Sequence, residues 1–536
     1  MTSERSYDVI VIGGGHNGLI NAAYLGKAGL RTLVLEARDL VGGAAITEEL
    51  VPGYHFTTFS YAISLLRPNI VSDLGLVEHG LTVLPMPTSF APMPNGGYLL
   101  LGPDEDLNFH EIARHSRRDA EAYLDYTHLL NRVCQAVKPL FDSIPPDPTS
   151  SDPAEIARLG SVLSYVGGLE PEVRELLTRL LTGGAADILD DYFETDILKG
   201  LLASSGIIGS RVGPRGPGSG IVLLYHNLGE VDGEFGSWGF HKRGNGGFTQ
   251  VVAAAANAAG VDIELSARVA AVVTAGQRVT GVTLEDGREF RAPVVVSALD
   301  PRRTFLELTD PAELPNDLVT SIEDFKFQGT SAKVNFALNG LPEYPSLPGR
   351  SDMYRGFINI APSIDYLEAA FADAVEGRLS REPYLDCCIQ SVIDPDMAPA
   401  GRHVMSCFVQ YAPYHLADGN WDSEREHLGD RVQAVLERYF PGFGSMVVHR
   451  EVVTPLDIER VTGLSEGNIF AGEFLRDQMY FFRPAAGWNQ YRTPILGYYQ
   501  CGSGTHPGGC VTGGPGMLAA AQILADRATA DSPSPS

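Results

Sequence analysis

The stretch DVIVIGGGHNGLINAAYLGKAGLRTLVLE, from Asp8 to Glu36, decides the fold. An apolar run stops at three glycines, a helical pattern of apolar residues follows, and a second apolar run ends on Glu36. This order predicts a strand, a tight turn, a helix and a second strand, with Gly13-x-Gly15-x-x-Gly18 at the turn. The three glycines would allow the turn, the approach of a pyrophosphate to the backbone, and close packing of the helix on the strand.

The chemistry of this segment is that of a dinucleotide site. The start of the helix presents free N–H groups and a partial positive charge to a pyrophosphate. Glu36 lies 18 residues after Gly18, about where a carboxylate accepts a hydrogen bond from a ribose hydroxyl. Because strand, turn, helix, second strand and acid occur in order, the signal is more specific than an isolated glycine motif. The segment by itself leaves NAD and FAD equally open.

Composition limits the classes of function. The 536 residues are enough for about two to four domains, and 44% apolar with 20% charged residues is typical of a soluble globular protein. A formal charge of −26, from 66 acidic and 40 basic residues, disfavours nucleic acid as a partner. No apolar stretch approaches ~18 residues, and the first strand begins too early to leave room for a signal peptide. The six cysteines lack CxxC or disulfide spacing, so we expect a cytoplasmic protein without a metal site.

The rest of the chain contains a second glycine-rich turn. Residues 104–210 have helical periodicity, and strand patterns return after Trp238, which indicates a return to the nucleotide domain. Near the C-terminus a strand runs into CGSGTHPGGCVTGGPG and an alanine-rich helix, which predicts a second helix N-terminus facing a ligand. The tail from Asp526 to Ser536 is small and polar, and we expect it to be disordered.

These motifs resemble the FAD-dependent amine oxidase and phytoene desaturase superfamily. The segments VIGGGHNGLINAAYL and LEARDLVGGAAITEE carry the first part of the resemblance. The segments PGYHFTTFSYAISLLRP and RTPILGYYQCGSGTHPGGCVTGGPG are similar to its carotenoid desaturase-like branch. The resemblance covers nearly the whole chain, and it favours FAD over NAD.

The implied fold class is α/β, with a Rossmann-type FAD-binding domain of the p-hydroxybenzoate hydroxylase-like kind and an inserted α+β substrate domain. The FAD-binding domain would be assembled from separated segments, at residues 1–100, 236–304 and 466–525. A mainly helical substrate or cap region would occupy 101–235, and a substrate domain with a mixed sheet would occupy 305–465. The disordered tail would be 526–536.

The resemblance also implies which residues bind FAD. The three glycines of the first turn would hold the pyrophosphate, Glu36 the adenosine ribose, and the backbone of Val269 the adenine. Four residues of the C-terminal turn would contact the ribityl chain and the isoalloxazine: Gly504, Thr505, Gly513 and Gly514. The remaining cofactor-binding positions are His16, Asn17, Ala37, Arg38, Gly42, Gly43 and Ala44.

The implied activity is that of an FAD-dependent oxidoreductase acting on CH–CH or related bonds. The sequence has no second GxGxxG–acid unit for a nicotinamide and no CxxC pair to relay electrons. The resemblance therefore implies hydride transfer from a lipophilic, isoprenoid- or carotenoid-like substrate to flavin N5, with reoxidation by O₂ or a quinone. A flavin amine oxidase, or a flavoprotein acting mainly as a binding or assembly partner, stays open. An apolar substrate also predicts peripheral membrane contact, whereas the oligomeric state stays open.

No triad or carboxylate pair marks a catalytic base. His506, in the motif predicted to lie near the flavin, is the candidate for a group beside the reacting carbon, and orientation of its loop is the equal alternative. Lys333, at an inward-looking strand position, could hold a water near N5, but a snorkelling surface lysine is the favoured interpretation. Cys510 stands where the resemblance predicts a third glycine, and we expect a buried inert thiol there rather than a covalent link to the flavin.

Overall fold

The computed structural model describes residues 6–530. The first hundred residues contain the predicted strand–turn–helix–strand unit, followed by short strands. The first two strands are buried along their whole length, as parallel strands covered on both faces are. The elements are β1 (Val9–Ile12), α1 (His16–Lys27), β2 (Thr32–Leu35), β3 (Glu48–Val51), β4 (Tyr54–Phe56), α2 (Pro68–Asp73), β5 (Val83–Pro85), β6 (Ser89–Pro92) and β7 (Tyr98–Leu101).

The next part of the chain is a run of helices that ends in a short hairpin. Its longest helix begins after Ser116, whose side chain accepts a hydrogen bond from the Asp119 N–H and so satisfies a free donor of the first turn. The elements are α3 (Glu105–Ala113), α4 (Arg117–Phe141), α5 (Pro153–Gly167), α6 (Pro171–Thr182), α7 (Ala185–Tyr192), α8 (Asp196–Ser204), α9 (Ser219–Asn227), β8 (Glu230–Val231) and β9 (Glu234–Phe235).

Strands then return, as the sequence predicts after Trp238. The elements are β10 (Gly239–His241), α10 (Asn245–Ala258), β11 (Asp262–Glu264), β12 (Val269–Ala275), β13 (Arg278–Leu284), β14 (Glu289–Arg291) and β15 (Val294–Ser297). The remaining elements are α11 (Asn316–Glu323), β16 (Ser331–Leu338), β17 (Phe357–Ile360), α12 (Ile364–Val375), β18 (Tyr384–Cys388), β19 (His403–Gln410), α13 (Trp421–Tyr439), α14 (Phe443–Met446), β20 (Val447–Val453), α15 (Pro455–Thr462), β21 (Tyr498–Gln500) and α16 (Gly514–Ala530).

A five-stranded parallel sheet combines distant parts of the chain, in the order β11-β2-β1-β15-β21. Helix α1 packs against both α10 and α16. A Cβ at Gly516 would lie 2.3 Å from the Asn17 carbonyl oxygen, so glycine lets the backbones of α16 and α1 approach. Asn21 Nδ2 donates to the Gly516 carbonyl at 3.0 Å. The last helix is therefore part of the same layer as the first.

A seven-stranded mixed sheet forms the second layer, in the order β20-β16-β19-β18-β17-β6-β7. Its pairs are antiparallel except for β17 with β6. Strands β6 and β7 thus lie in this sheet, whereas the sequence pattern predicts residues 1–100 to be the first segment of the FAD-binding domain. Pattern alone does not show which sheet a short strand will join.

The predicted tail also differs from the structure. Helix α16 continues through Asp526 to Ala530, so the prediction of disorder from residue 526 is wrong for these five residues. Asp526 accepts hydrogen bonds from Arg492 Nε at 2.8 Å and the Tyr499 hydroxyl at 2.9 Å, which hold the last turns against the sheet. The rest of the predicted tail lies outside the described residues. Within residues 6–530, no helix combines the length and apolarity that crossing a bilayer requires.

Candidate active site

The first glycine turn lies between β1 and α1, at one end of a cavity of about 1310 Å³. Gly13 has a φ of +100°, which favours glycine. A Cβ at Gly18 would lie 2.1 Å from the Gly13 carbonyl oxygen, whereas a Cβ at Gly15 would meet nothing within 4 Å. Gly18 is therefore required by the packing of the turn, and the space beside Gly15 is left for a ligand.

Glu36 at the end of β2 is fixed by backbone donors. Gly14 N–H donates to its Oε2 at 2.7 Å and Arg38 N–H donates to its Oε1 at 2.8 Å. The side chain lines the cavity and is 7% exposed. The carboxylate is thus held beside the glycine turn with lone pairs remaining for a further donor.

The second glycine pair lies directly against the first turn. Gly42 N–H donates to the Gly14 carbonyl at 2.8 Å, and Gly42 and Gly43 both have positive φ. Val269 is brought near the same place because Ala267 N–H donates to the Glu36 carbonyl at 2.8 Å. Predicted cofactor residues that line the cavity are Gly13, Gly15, His16, Asn17, Gly18, Glu36, Ala37, Arg38, Gly42, Gly43, Ala44 and Val269.

The C-terminal turn meets the first turn through different residues from those predicted. Asn17 Nδ2 donates to Ser503 Oγ at 3.1 Å, and the turn residues that line the cavity are Ser503, Cys510 and Val511. The four predicted residues of this turn are not among the lining residues of the described chain. They contribute instead to the packing of the turn. The Thr505 hydroxyl donates to the Gly502 carbonyl, and a Cβ at Gly513 would contact Ile20 and Ile70.

Cys510 lies at the cavity with a φ of +65°, a conformation that explains why the resemblance predicts glycine here. Burial raises the pKa of its thiol to about 12. Because the thiolate is the nucleophilic form, this environment supports the inert thiol that we expect.

His506 is buried away from the cavity lining. Its Nε2 lies 3.1 Å from the Leu140 carbonyl oxygen, and its ring packs against Phe141 and Tyr480. Burial lowers the pKa of the imidazole to about 3, so the ring is neutral and its N–H donates to Leu140. These contacts support the alternative in which His506 orients the loop, and no contact of this side chain supports the catalytic role.

The other end of the cavity is formed by one face of the mixed sheet. Lys333 on β16 is paired with Phe408 on β19, Phe408 with Asp386 on β18, and Asp386 with Asn359 on β17. In-register partners present their side chains on the same face, and all four residues line the cavity. We refer to these four residues as the floor row. Lys333 is 3% exposed, so the expectation of a surface lysine is wrong.

The two charged side chains of the floor row are held by residues of the segment after β4. Lys333 Nζ donates to the Thr57 carbonyl at 2.6 Å and lies 4.9 Å from the centre of the Tyr61 ring. The Tyr61 hydroxyl donates to Asp386 Oδ2 at 2.6 Å. Burial lowers the pKa of Lys333 to about 8. Burial raises the pKa of Asp386 to about 7, against the opposing effects of the Tyr61 hydrogen bond and the charge of Lys333.

Apolar side chains surround the floor row. The Tyr61 ring lies edge-on to Phe357 at 6.3 Å and tilted to Phe408 at 6.2 Å, and Trp238 lies edge-on to Phe357 at 6.0 Å. Residues of the helical region close the opposite side, among them Tyr123, Leu201, Leu202 and Ile208. We call this space the substrate chamber. Asp386 and Tyr61 are not among the site residues predicted from the sequence: they are 325 positions apart, and no local motif includes both.

The fold and the first end of the cavity define a dinucleotide-binding α/β protein with a second, mixed sheet that lines the same cavity. A family model described as flavin containing amine oxidoreductase matches residues 18–524. Pyridine nucleotide-disulfide oxidoreductase domain-containing protein 2 of Rattus norvegicus is 40% identical over 98% of this chain and 94% of its own length. The phytoene desaturase (lycopene-forming) of Pseudescherichia vulneris is 26% identical over 96% of this chain and 98% of its own. Cyclohexylamine oxidase from Brevibacterium oxydans IH-35A has a similar fold, with a TM-score of 0.58 and 17% identity over 98% of this chain and 100% of its own.

The chain therefore belongs to the flavin-containing amine oxidoreductase family. It is a flavin oxidoreductase, and its cofactor is FAD. The superfamily and the cofactor predicted from the sequence are confirmed. Two finer points stay predictions: that the reaction takes place on CH–CH or related bonds, and which individual residues contact FAD.

The residues at the first end of the cavity fit FAD. His16 Nε2, Asn17 Oδ1 and Arg38 Nη1 are buried and have no hydrogen-bond partner among the described residues. All three side chains line the cavity beside the open space at Gly15. Because buried polar atoms in folded proteins are normally hydrogen-bonded, a polar ligand such as the pyrophosphate and riboses of FAD is the partner this surface requires.

Proposed function

We propose that this protein is an FAD-dependent desaturase or dehydrogenase that takes hydride from a carbon atom of a lipophilic, isoprenoid- or carotenoid-like substrate. The observation that carries this proposal is the continuity of one cavity from the glycine turns to the aromatic substrate chamber. Bound FAD supplies the two-electron acceptor, which O₂ or a quinone would reoxidise.

The residues of the chamber serve binding and exclusion of water. Phe357, Phe408 and Trp238 bury apolar surface of a substrate, a contribution of about 25 cal/mol for each Å² removed from water. Lys333 and Asp386 are held in place by Thr57 and Tyr61, so each has little freedom to reorganise. The chamber thus positions an apolar molecule over polar groups that are already fixed.

A flavin amine oxidase is the second candidate, and a specific feature favours it. A carboxylate among aromatic rings, as Asp386 is among Tyr61 and Phe408, also suits an ammonium group. Anaerobic mixing of the FAD-loaded protein with polyenes, carotenoids and amines separates the two, because reduction bleaches the flavin absorbance. We expect bleaching by the apolar polyenes. Bleaching by amines alone would overturn the proposal, and bleaching by nothing in the panel would favour a binding or assembly role.

We propose that the protein is cytoplasmic and contacts membranes peripherally. Helix α5 supports the membrane contact because none of its residues is buried, and Ile156 and Leu163 are 56% and 63% exposed. Flotation with zwitterionic liposomes tests the contact, since the charge of −26 would oppose anionic lipids. We expect the wild type to float and a variant with Ile156→Ser and Leu163→Ser to stay at the bottom. Wild-type protein that remains wholly in the soluble fraction would contradict the proposal.

A further inference from the structure

The carboxylate of Asp386 has one oxygen bound to the protein and one that is not. Oδ2 accepts the hydrogen bond of the Tyr61 hydroxyl at 2.6 Å. Oδ1 is buried and has no hydrogen-bond partner in the described part of the chain. Asp386 is 5% exposed and lines the substrate chamber. In the ionised form of Asp386, which predominates above about pH 7, a buried oxygen without a donor is unfavourable, so this position calls for a donor from a ligand.

Lys333 does not supply that donor in this structure. Phe408 on β19 lies between the two residues in the floor row. Lys333 Nζ donates instead to the Thr57 carbonyl at 2.6 Å and lies 4.9 Å from the centre of the Tyr61 ring. Asp386 Oδ1 is therefore open to a donor from a ligand.

The surroundings of Asp386 define the rest of the ligand. Tyr61, Phe357, Phe408 and Trp238 form a continuous set of ring contacts beside the floor row. On the other side of Asp386, Asn359 Oδ1 already accepts from the Tyr384 hydroxyl at 3.0 Å. A ligand that satisfies this chamber has an apolar body and a single hydrogen-bond donor.

We propose that the substrate is a lipophilic alcohol whose hydroxyl donates to Asp386 Oδ1, which makes Asp386 the specificity-determining residue of the chamber. This inference rests on the proposed function and narrows its substrate class. A hydroxyl is favoured over an ammonium group because Lys333 already contributes a positive charge to the same row, and a second cation would be repelled by it. A plain hydrocarbon would leave the carboxylate oxygen without a donor.

Three probes of one carbon skeleton test the proposal: a ten-carbon isoprenoid alcohol, the matched primary amine and the matched hydrocarbon. Each is titrated into the FAD-loaded protein at about pH 8, where Asp386 is mainly ionised, and binding is followed by the change in flavin absorbance. We expect the alcohol to bind about tenfold more tightly than the hydrocarbon or better, as a hydrogen bond to a charged group allows. Asp386→Leu and Asp386→Ala, which leave no polar atom at this position, should remove this preference.

Phe408→Leu is the matched control, since it changes an apolar member of the same row. It should weaken all three probes by a similar factor and keep the preference for the alcohol. Bound flavin and circular dichroism verify that each variant is folded, and Asp386→Ala carries the test if Asp386→Leu does not fold.

The outcomes separate this inference from the proposed function. Equal binding of alcohol and hydrocarbon, tighter binding of the amine, or an alcohol preference that survives both Asp386 variants would overturn the inference. If the hydrocarbon still bleaches the flavin in such a case, the proposed function stands. Selective binding of the alcohol without bleaching by any probe would support the inference and count against the proposed function. No binding of any probe would overturn both.

Discussion

The two ends of the cavity are built in different ways. At the nucleotide end the surface is made largely of backbone: three glycines, the start of α1, and a carboxylate held by two backbone N–H groups. At the substrate end it is made of side chains that stand in register on four strands. At the nucleotide end, an added Cβ at a position such as Gly18 would collide with backbone atoms. At the substrate end, side chains can be replaced without changing the pairing of the strands.

The strongest test of this contrast is the first glycine turn. In Gly18→Ala the new Cβ would lie 2.1 Å from the Gly13 carbonyl oxygen, and backbone must move to relieve it. We expect a loss of about 3 kcal/mol or more in the free energy of unfolding, measured by urea denaturation without FAD. Gly15→Ala is the matched control, because its Cβ meets no protein atom within 4 Å. It should keep the stability of the apoprotein and lose FAD, and equal destabilisation by both would contradict the assignment of the open space.

A large effect at the substrate end should depend on pH. The pKa of Asp386 is raised from 3.8 to about 7, so between these pH values the folded protein binds more protons than the unfolded chain, and stability falls as pH rises. Asp386→Asn has no such group. Between pH 4 and pH 8 the free energy of unfolding of Asp386→Asn should therefore rise by up to roughly 4 kcal/mol relative to that of the wild type.

Urea denaturation at a series of pH values measures this difference. Asp373→Asn is the control, because the pKa of Asp373 is lowered: its hydrogen bonds to Arg381 and Arg378 outweigh its burial. Its contribution is lost only at acid pH, so the control should show no relative gain between pH 5 and pH 8. If the difference in the free energy of unfolding between Asp386→Asn and the wild type does not change with pH, this carboxyl group is ionised as easily as in water.

At the nucleotide end, replacing Glu36 should weaken the binding of FAD more than it lowers the stability of the fold. Glu36→Ala removes the predicted acceptor of the ribose hydroxyl and frees two backbone donors. We expect the dissociation constant for FAD to rise at least about tenfold, the effect of losing one hydrogen bond to a charged group. Fluorescence titration of the apoprotein with FAD measures it. Glu36→Gln, which keeps one carbonyl acceptor, should lie between the variant and the wild type, and unchanged FAD affinity in both would remove Glu36 from the site.

The sequence could predict the nucleotide end because its parts are contiguous. Gly13, Gly18 and Glu36 lie within one strand–turn–helix–strand unit, and local physics fixes their arrangement. The substrate end is different, since Tyr61 and Asp386 meet only through sheet pairing. Lys333 lies on a strand whose residues are all buried; its inward-looking position was predicted, but the general tendency of lysine to extend its charge to solvent led to the wrong preference for a surface side chain. The C-terminal turn is an intermediate case. Its approach to the cavity was predicted, but the residues that line the cavity include Ser503 and Val511 rather than Gly504 and Thr505, because the packing of the turn determines which residues face the cavity.

The smallest expected effect concerns His506, which belongs to neither end. His506→Gln should lower the free energy of unfolding by about 1 kcal/mol, because the hydrogen bond to the Leu140 carbonyl is weakened. The rate of flavin reduction by substrate should stay within about twofold, since the imidazole does not line the cavity. Stopped-flow absorbance measures that rate. A fall of two orders of magnitude with unchanged stability would restore the catalytic role.

The hydrogen bond from Asn17 to Ser503 joins positions that are 486 residues apart. During synthesis the glycine turn and Glu36 are made long before their partner, and β21 must join the edge of a sheet whose central strand β1 was made several hundred residues earlier. Contacts of such long range form slowly, and the surface of α1 stays uncovered until α16 is made and docks. We therefore expect capture of FAD to be a late event in folding, and the demand for chaperones to fall once α16 has docked.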